Sequence, residues 1–199
     1  MTAYGLTTTV DASTTAVALS RVKSHLRIAT GDFDRELFDV YIPAAVDYCE
    51  AHTHRKWFTS THKLTLYSFP VGPIHIPYGA LQSITSVAYL DENGDPQVMD
   101  AADYTVDITE EPAQIISDEA WPTTDANVSA AVTVVFVSGY GALWTDLPPS
   151  LHAAFLLMVE HLWSNRGPAV IGRTISSMPL SVASLLDIYK LGDAYTMEP

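Results

Sequence analysis

The feature that most constrains this chain is a hydrophobic period that changes twice. From Trp57 to Ser138 apolar residues recur at every second position, whereas on both sides they recur every three or four. In "HKLTLYSF", Leu64 and Leu66 alternate with Lys63, Thr65 and Tyr67; in "SITSVAYL", Ile84, Val87 and Tyr89 alternate less cleanly. "DYTVDI", "AQIIS" and "AVTVVFVS" add β-branched runs set apart by Pro112, Pro122 and polar residues, and Asn93-Gly94 within "DENGDP" suits a tight hairpin. Side chains on a strand alternate between two faces, so these runs predict five or six short antiparallel strands in a small sandwich or barrel.

The flanking segments predict helices. "STTAVALSRVKSHLRI" places Val17, Leu19, Val22, Leu26 and Ile28 near one stripe, with Ser13 or Thr14 as N-cap and Gly31 as the stop. Asp32 is then placed to cap a second helix, on which Phe33, Leu37, Tyr41, Ala44 or Ala45, Tyr48 and His52 recur at helical spacing. An interior proline costs a helix about 3 kcal/mol, so a kink is expected one turn before Pro43. Downstream, Pro148 and Pro149 suit a first turn, and Leu151, Phe155, Met158 and Leu162 form a stripe. Ala153, Ala154, Leu156, Leu157 and Val159 make the remainder of that helix apolar too, so it must be covered on several sides. Gly167-Pro168 stops it, and "LSVASLLDIYKLG" supplies a last helix with Val182, Leu185, Leu186 and Tyr189.

The expected fold class is therefore α+β: a helical frame of two N-terminal and two C-terminal helices into which a small antiparallel β domain is inserted. The expected divisions are an extended Thr-rich arm with little to bury (1–12), N-terminal helices (13–56), the β insert (57–140), C-terminal helices (141–191) and a flexible tail (192–199).

Charge narrows the function classes. Asp and Glu number 23 against 10 Lys and Arg, a net charge of −13, which is the wrong sign for wrapping nucleic acid. An acidic wall is instead suited to let DNA pass without sticking, or simply to keep the protein in solution. Cys49 is the only cysteine, so no internal disulfide forms and a cysteine zinc site is nearly excluded. The first residues lack the basic and apolar stretches of a signal peptide, and no apolar run approaches the roughly 18–20 residues that span a bilayer. The chain reads as a soluble intracellular product with no membrane partner.

Two stretches invite a chemical reading. "CEAHTHRK" carries Glu50, His52 and His54, but residues two apart on a helix point about 200° apart, so the pair is poorly placed to share a metal; histidines there complement the helix dipole. "LMVEHLWSNRG" carries Leu157, Glu160, His161, Asn165 and Arg166. His161 and Asn165 share a helix face, Glu160 points elsewhere, and no serine or cysteine nucleophile has a signature around it. This reads as a packing edge, with Arg166 finishing the helix and offering a bidentate fork to a neighbour's carboxylate. The glycines of "SGYGALW" permit the turn from the last strand into the next helix and form no phosphate-binding loop. Trp57, Trp144 and Trp163 are expected to flank the junctions between frame and insert. The sequence thus predicts no catalytic residue, no metal and no cofactor.

Taken in order, the segments resemble tailed-phage head–tail connector (adaptor) proteins. The N-terminal elements of that resemblance are Lys23, Leu26, Arg27, Asp32, Asp34, Glu50, Thr53 and Arg55. "FPVGPIHIPYGALQSITSVAYLDENGDPQVM", "ADYTVD", "VTVVFVSGYG", "LPPSLHAAFLLMVEHLWSNRG" and "MPLSVASLLDIYK" follow as further blocks, covering about residues 16 to 190. Pro43 departs from the family's Ala-rich helix, and the β insert places the chain with larger members. The resemblance implies a structural virion protein without an active site, of a family also found in gene-transfer agents and made in the bacterial cytoplasm. It implies a homo-oligomeric ring, typically a dodecamer, below the portal protein at the head–tail junction, or neck. Such a ring extends the DNA channel, lets DNA through without specific binding, and docks stopper or tail-completion proteins. Leu157, Glu160, His161, Asn165 and Arg166 are then expected at a subunit or portal interface. The rival readings are another tail-completion virion protein and a small metal-dependent hydrolase using the histidines.

Overall fold

The computed structural model describes residues 4–10, 17, 19–29, 31–165 and 179–192. The chain divides into two compact units: residues 1–12, 58–140 and 191–199 form one, residues 13–57 and 141–190 the other. Helices and antiparallel strands are segregated between them, a mixed architecture compatible with the α+β class.

In the β unit, five strands pair in the order β1-β2-β8-β4-β5: β1 (Tyr4–Val10), β2 (Ser60–Leu66), β8 (Val132–Ser138), β4 (Leu81–Leu90) and β5 (Pro96–Val98). Three more, β3 (Ile74–His75), β7 (Gln114–Ser117) and β6 (Tyr104–Asp107), form a second sheet. Alternation is strict on β2 and β8, whose Leu64, Leu66, Val132, Val134 and Phe136 turn inward. They meet Ile74, Ile76 and Ile115 from the second sheet in one apolar core. The imperfect alternation of β4 has a cause: between Ile84 and Ser86 the register slips by one residue. That bulge lets Ile84, Val87 and Tyr89 all pack on the core despite their uneven spacing.

The "DENGDP" hairpin closes with three loop residues rather than two. The Asp91 amide donates to the Asp95 carbonyl at 3.0 Å, and Gly94 takes the positive φ (81°) that such a loop demands. The N-terminal arm is an edge strand: β1 pairs antiparallel with β2, Leu6 opposite Leu64, and Leu6 packs against the core.

In the helical unit, α1 (Leu19–Leu26), α3 (Ile42–Thr53) and α5 (Leu180–Asp187) all contact α4 (Pro149–Ser164). Pro149 opens α4 where its missing N–H costs nothing. Leu151, Ala154, Phe155, Met158 and Val159 are buried, whereas Leu156, Leu157 and Leu162 are only half-buried. The Ser13 or Thr14 cap, the Gly167-Pro168 stop and all of the expected tail except Gly192 lie outside the described residues.

The second helix differs from its expected form. Phe33, in the left-handed region (φ 57°), takes the N-cap position without a side-chain cap, so Asp32 does not fill that role. After one turn, α2 (Asp34–Glu36), the chain widens into a π-turn, Leu37–Tyr41, and then continues as α3 with Pro43 in its first turn. Pro43 cannot donate to the carbonyl four residues back and its ring would crowd that oxygen; five-residue closure relieves both. The buried positions are Leu37, Ile42, Ala45, Val46, Cys49 and Thr53. Beyond Leu37 the stripe expected through Tyr41, Tyr48 and His52 is thus displaced by one residue.

Charge follows the same division. Between Phe58 and Tyr140 the sequence has eleven Asp and Glu against a single base, Lys63. The helical unit has nine acids and nine bases and is neutral, so the chain's entire net charge belongs to the β unit.

Candidate functional site

Leu157, Glu160, His161 and Asn165, singled out from the sequence, come together at the C-terminal end of α4. With Ser164, Pro179 and Ser181 they line a shallow depression of about 280 Å³ between this end and the start of α5. Arg166 lies outside the described residues.

The polar groups here are engaged with one another. Glu160 Oε2 meets His25 Nε2 of α1 at 3.0 Å. The Asn165 side-chain amide donates to the His161 carbonyl at 2.7 Å and lies 3.3 Å from its Nδ1, which closes the last turn of α4. His161 and Asn165 therefore do share a face, while Glu160 turns toward α1. His161's ring partner is an amide and Glu160's is an imidazole. The exposed Leu180 of α5 and the half-buried Leu156 and Leu157 add an apolar border.

Aromatic and ionic contacts fix the surroundings. Trp163 takes Phe33 and Tyr41 edge-on, at ring separations of 5.2 and 5.3 Å. This places Trp163 inside the helical unit rather than at its junction with the insert. Trp144 stacks on His152 and meets Phe155 edge-on. At the far end of α3, the Glu50 carboxylate accepts the Trp57 amide and the Lys56 ammonium, each at 2.8 Å. His52 pairs with Asp187 of α5 at 2.8 Å, and Arg55 reaches the Tyr189 carbonyl. Lys23 pairs with Asp34.

Among the described residues no three His, Cys, Asp or Glu side chains gather as a metal site requires. Burial, with Glu50 adding to it, pushes the Cys49 thiol up to about 12, so no thiolate is available at neutral pH. No helix among the described residues is long and apolar enough to cross a membrane.

Sequence reasoning missed His25, Ser164, Pro179 and Ser181. The His25–Glu160 pair spans 135 positions, a separation at which spacing has no signal. Ser164 had one, since it falls three residues after His161.

No family model matches the sequence, and no curated protein does. Solved structures do. A chain from the virion of a native gene transfer agent particle has 21% identity and a TM-score of 0.78, over 98% of this chain and 99% of that one. A chain from the neck of an empty particle of this kind, computed with C6 symmetry, has the same identity and TM-score over 98% and 100%. One from the neck of the native particle, computed with C12 symmetry, follows at 20% and 0.76. This chain has the fold of those chains over 98% of its length.

Proposed function

We propose that the chain is a structural virion protein of the neck, a head–tail connector that closes into a ring below the portal protein. The ring extends the DNA channel and presents a platform to stopper or tail-completion proteins. The observation that carries this reading is the likeness, over 98% of the chain, to neck chains from structures computed with C6 and C12 symmetry.

The helical unit supports it physically. A helix whose leucines remain half-covered within one subunit gains by packing against another, and a ring needs a heterologous contact of this sort. The depression lined by Leu157, Glu160, His161 and Asn165 belongs to that contact, and Arg166 follows directly in the chain.

Light scattering on the purified chain over a wide concentration range tests the reading, with electron microscopy of the same samples. The expected result is a closed ring about twelve times the subunit mass of 21.7 kDa, lost in Leu157→Asp and weakened in Arg166→Ala. Monomer at every concentration, alone and mixed with a portal ring, would overturn it.

A further inference from the structure

The β unit has a larger depression, about 570 Å³, that the connector reading leaves unused. Residues 68–73 form one lip; Ile116, Ser117 and residues 119–124 form the other. Each lip contributes an aromatic ring. Phe69 and Trp121 stack face to face, centroids 4.7 Å apart and planes 6° apart, with Tyr89 edge-on to Phe69 at 5.5 Å. Trp121 Nε1 donates to the Gly72 carbonyl at 2.9 Å and ties one lip to the other. Pro70, Pro73 and Pro122 stiffen both lips, so the shape is formed before anything enters it. Apolar surface is left uncovered at the rim: Val71 is fully exposed and Ile116 is 39% exposed.

The charge beside this cleft is of one sign. Glu119 lines it, Asp118 is its neighbour in sequence, and the Asp118 amide binds the Asp103 carbonyl at 3.2 Å. Lys63 is the single base between Phe58 and Tyr140, and it lies on β2. Stacked aromatics accept nucleic-acid bases, but only where cations hold the phosphates, and here phosphates are repelled. A second copy's β unit, equally acidic, is repelled as well.

We infer that this cleft docks an extended, Lys- or Arg-bearing segment of a partner protein. That segment seats an apolar or proline side chain on the Phe69–Trp121 pair. Its cations meet Glu119 at the rim within the acidic field of the β unit, and a guanidinium or ammonium gains further over the ring faces. The inference does not depend on ring closure, because the cleft is built wholly from residues of the β unit.

Selection from a random dodecapeptide library displayed on phage, against the immobilised full chain, tests it. The tightest peptide is then synthesised and titrated by fluorescence anisotropy. Selected peptides are expected to place Lys or Arg beside an apolar or proline residue. Val71→Lys is expected to weaken binding about tenfold, and Glu119→Lys about threefold with a shallower salt dependence. Both side chains are exposed, so circular dichroism and melting serve to confirm that the fold is kept. The inference is overturned if no peptides are selected, if they are neutral or acidic, or if both variants bind unchanged. A single-stranded oligonucleotide that binds and is lost on Trp121→Ala would overturn it too, assigning the cleft to nucleic acid.

Discussion

The β unit and the helical unit solve the same problem, burying apolar surface, with opposite outcomes. The β unit turns Leu64, Leu66, Val132, Val134 and Phe136 into one shared core and spends its outer face on acids. The helical unit is electrically neutral and leaves Leu156 and Leu157 half-covered on its central helix. A whole-chain charge of −13 therefore describes neither part. An acidic surface is a property of the β unit, whereas the helical unit balances its acids with bases.

Truncation inside the two regions sharpens this contrast most. Phe136→Ala removes a fully buried ring and is expected to cost about 3–5 kcal/mol in chemical denaturation. Leu157→Ala, on the half-covered side of α4, is expected to cost under about 1 kcal/mol at monomer concentrations. Equal losses would mean that both sides of α4 are already core, and the contrast would fail.

Acid probes the next level. The Asp95 and Asn93 amides, and the Gln97 side chain, hold the Asp91 carboxyl below its ordinary 3.8. The Thr109 hydroxyl and amide do the same for Asp107. A depressed folded value stabilises the fold above pH 3.8 and ceases to do so as pH falls through it. Carboxyl carbon shifts followed through an acid titration should therefore show Asp91 and Asp107 protonating below the ordinary 3.8. Midpoints at the ordinary value would show that the hairpin loop does not hold its shape in solution.

The smallest effect is expected at the ion pairs of the helical unit. His52–Asp187 is exposed on the Asp187 side, and Asp187→Asn should cost at most about 1 kcal/mol in denaturation, less at high salt. A larger loss would make the neutral unit the more electrostatically dependent of the two.

Much of the β unit was legible because its signals are local. Alternation at Leu64 and Leu66, and Asn93-Gly94 at a turn, need no knowledge of distant partners. The bulge at Thr85 was the exception, since one extra residue imitates a broken pattern. Beside the α4 depression, Leu157, Glu160, His161 and Asn165 could be singled out because they stand on one segment, and His161 with Asn165 by helical spacing. His25 was not, because contact across 135 positions is set by helix packing, which spacing on one helix does not encode. The phase of α3 was misread for a third reason: helical spacing assumes a constant turn, and Pro43 forces a wider one. Charge partition was present in the sequence throughout, and needed only the unit boundaries to become visible.

The wide turn at Leu37–Tyr41 also makes the chain unusually sensitive to length there. Each residue of a regular helix advances the side chains by about 100°, so the extra residue resets the helix's bearing before Ile42. Deleting a single residue from this segment would restore an ordinary helix. It would also swing Leu37 or everything beyond Ile42 out of the interior and drive the Pro43 ring into a carbonyl. Of the two rings that clasp Trp163, Phe33 precedes the wide turn and Tyr41 is its last residue. The orientation of α4's last turn, and with it the depression beside His161, is thus held by a count of residues as much as by their identity.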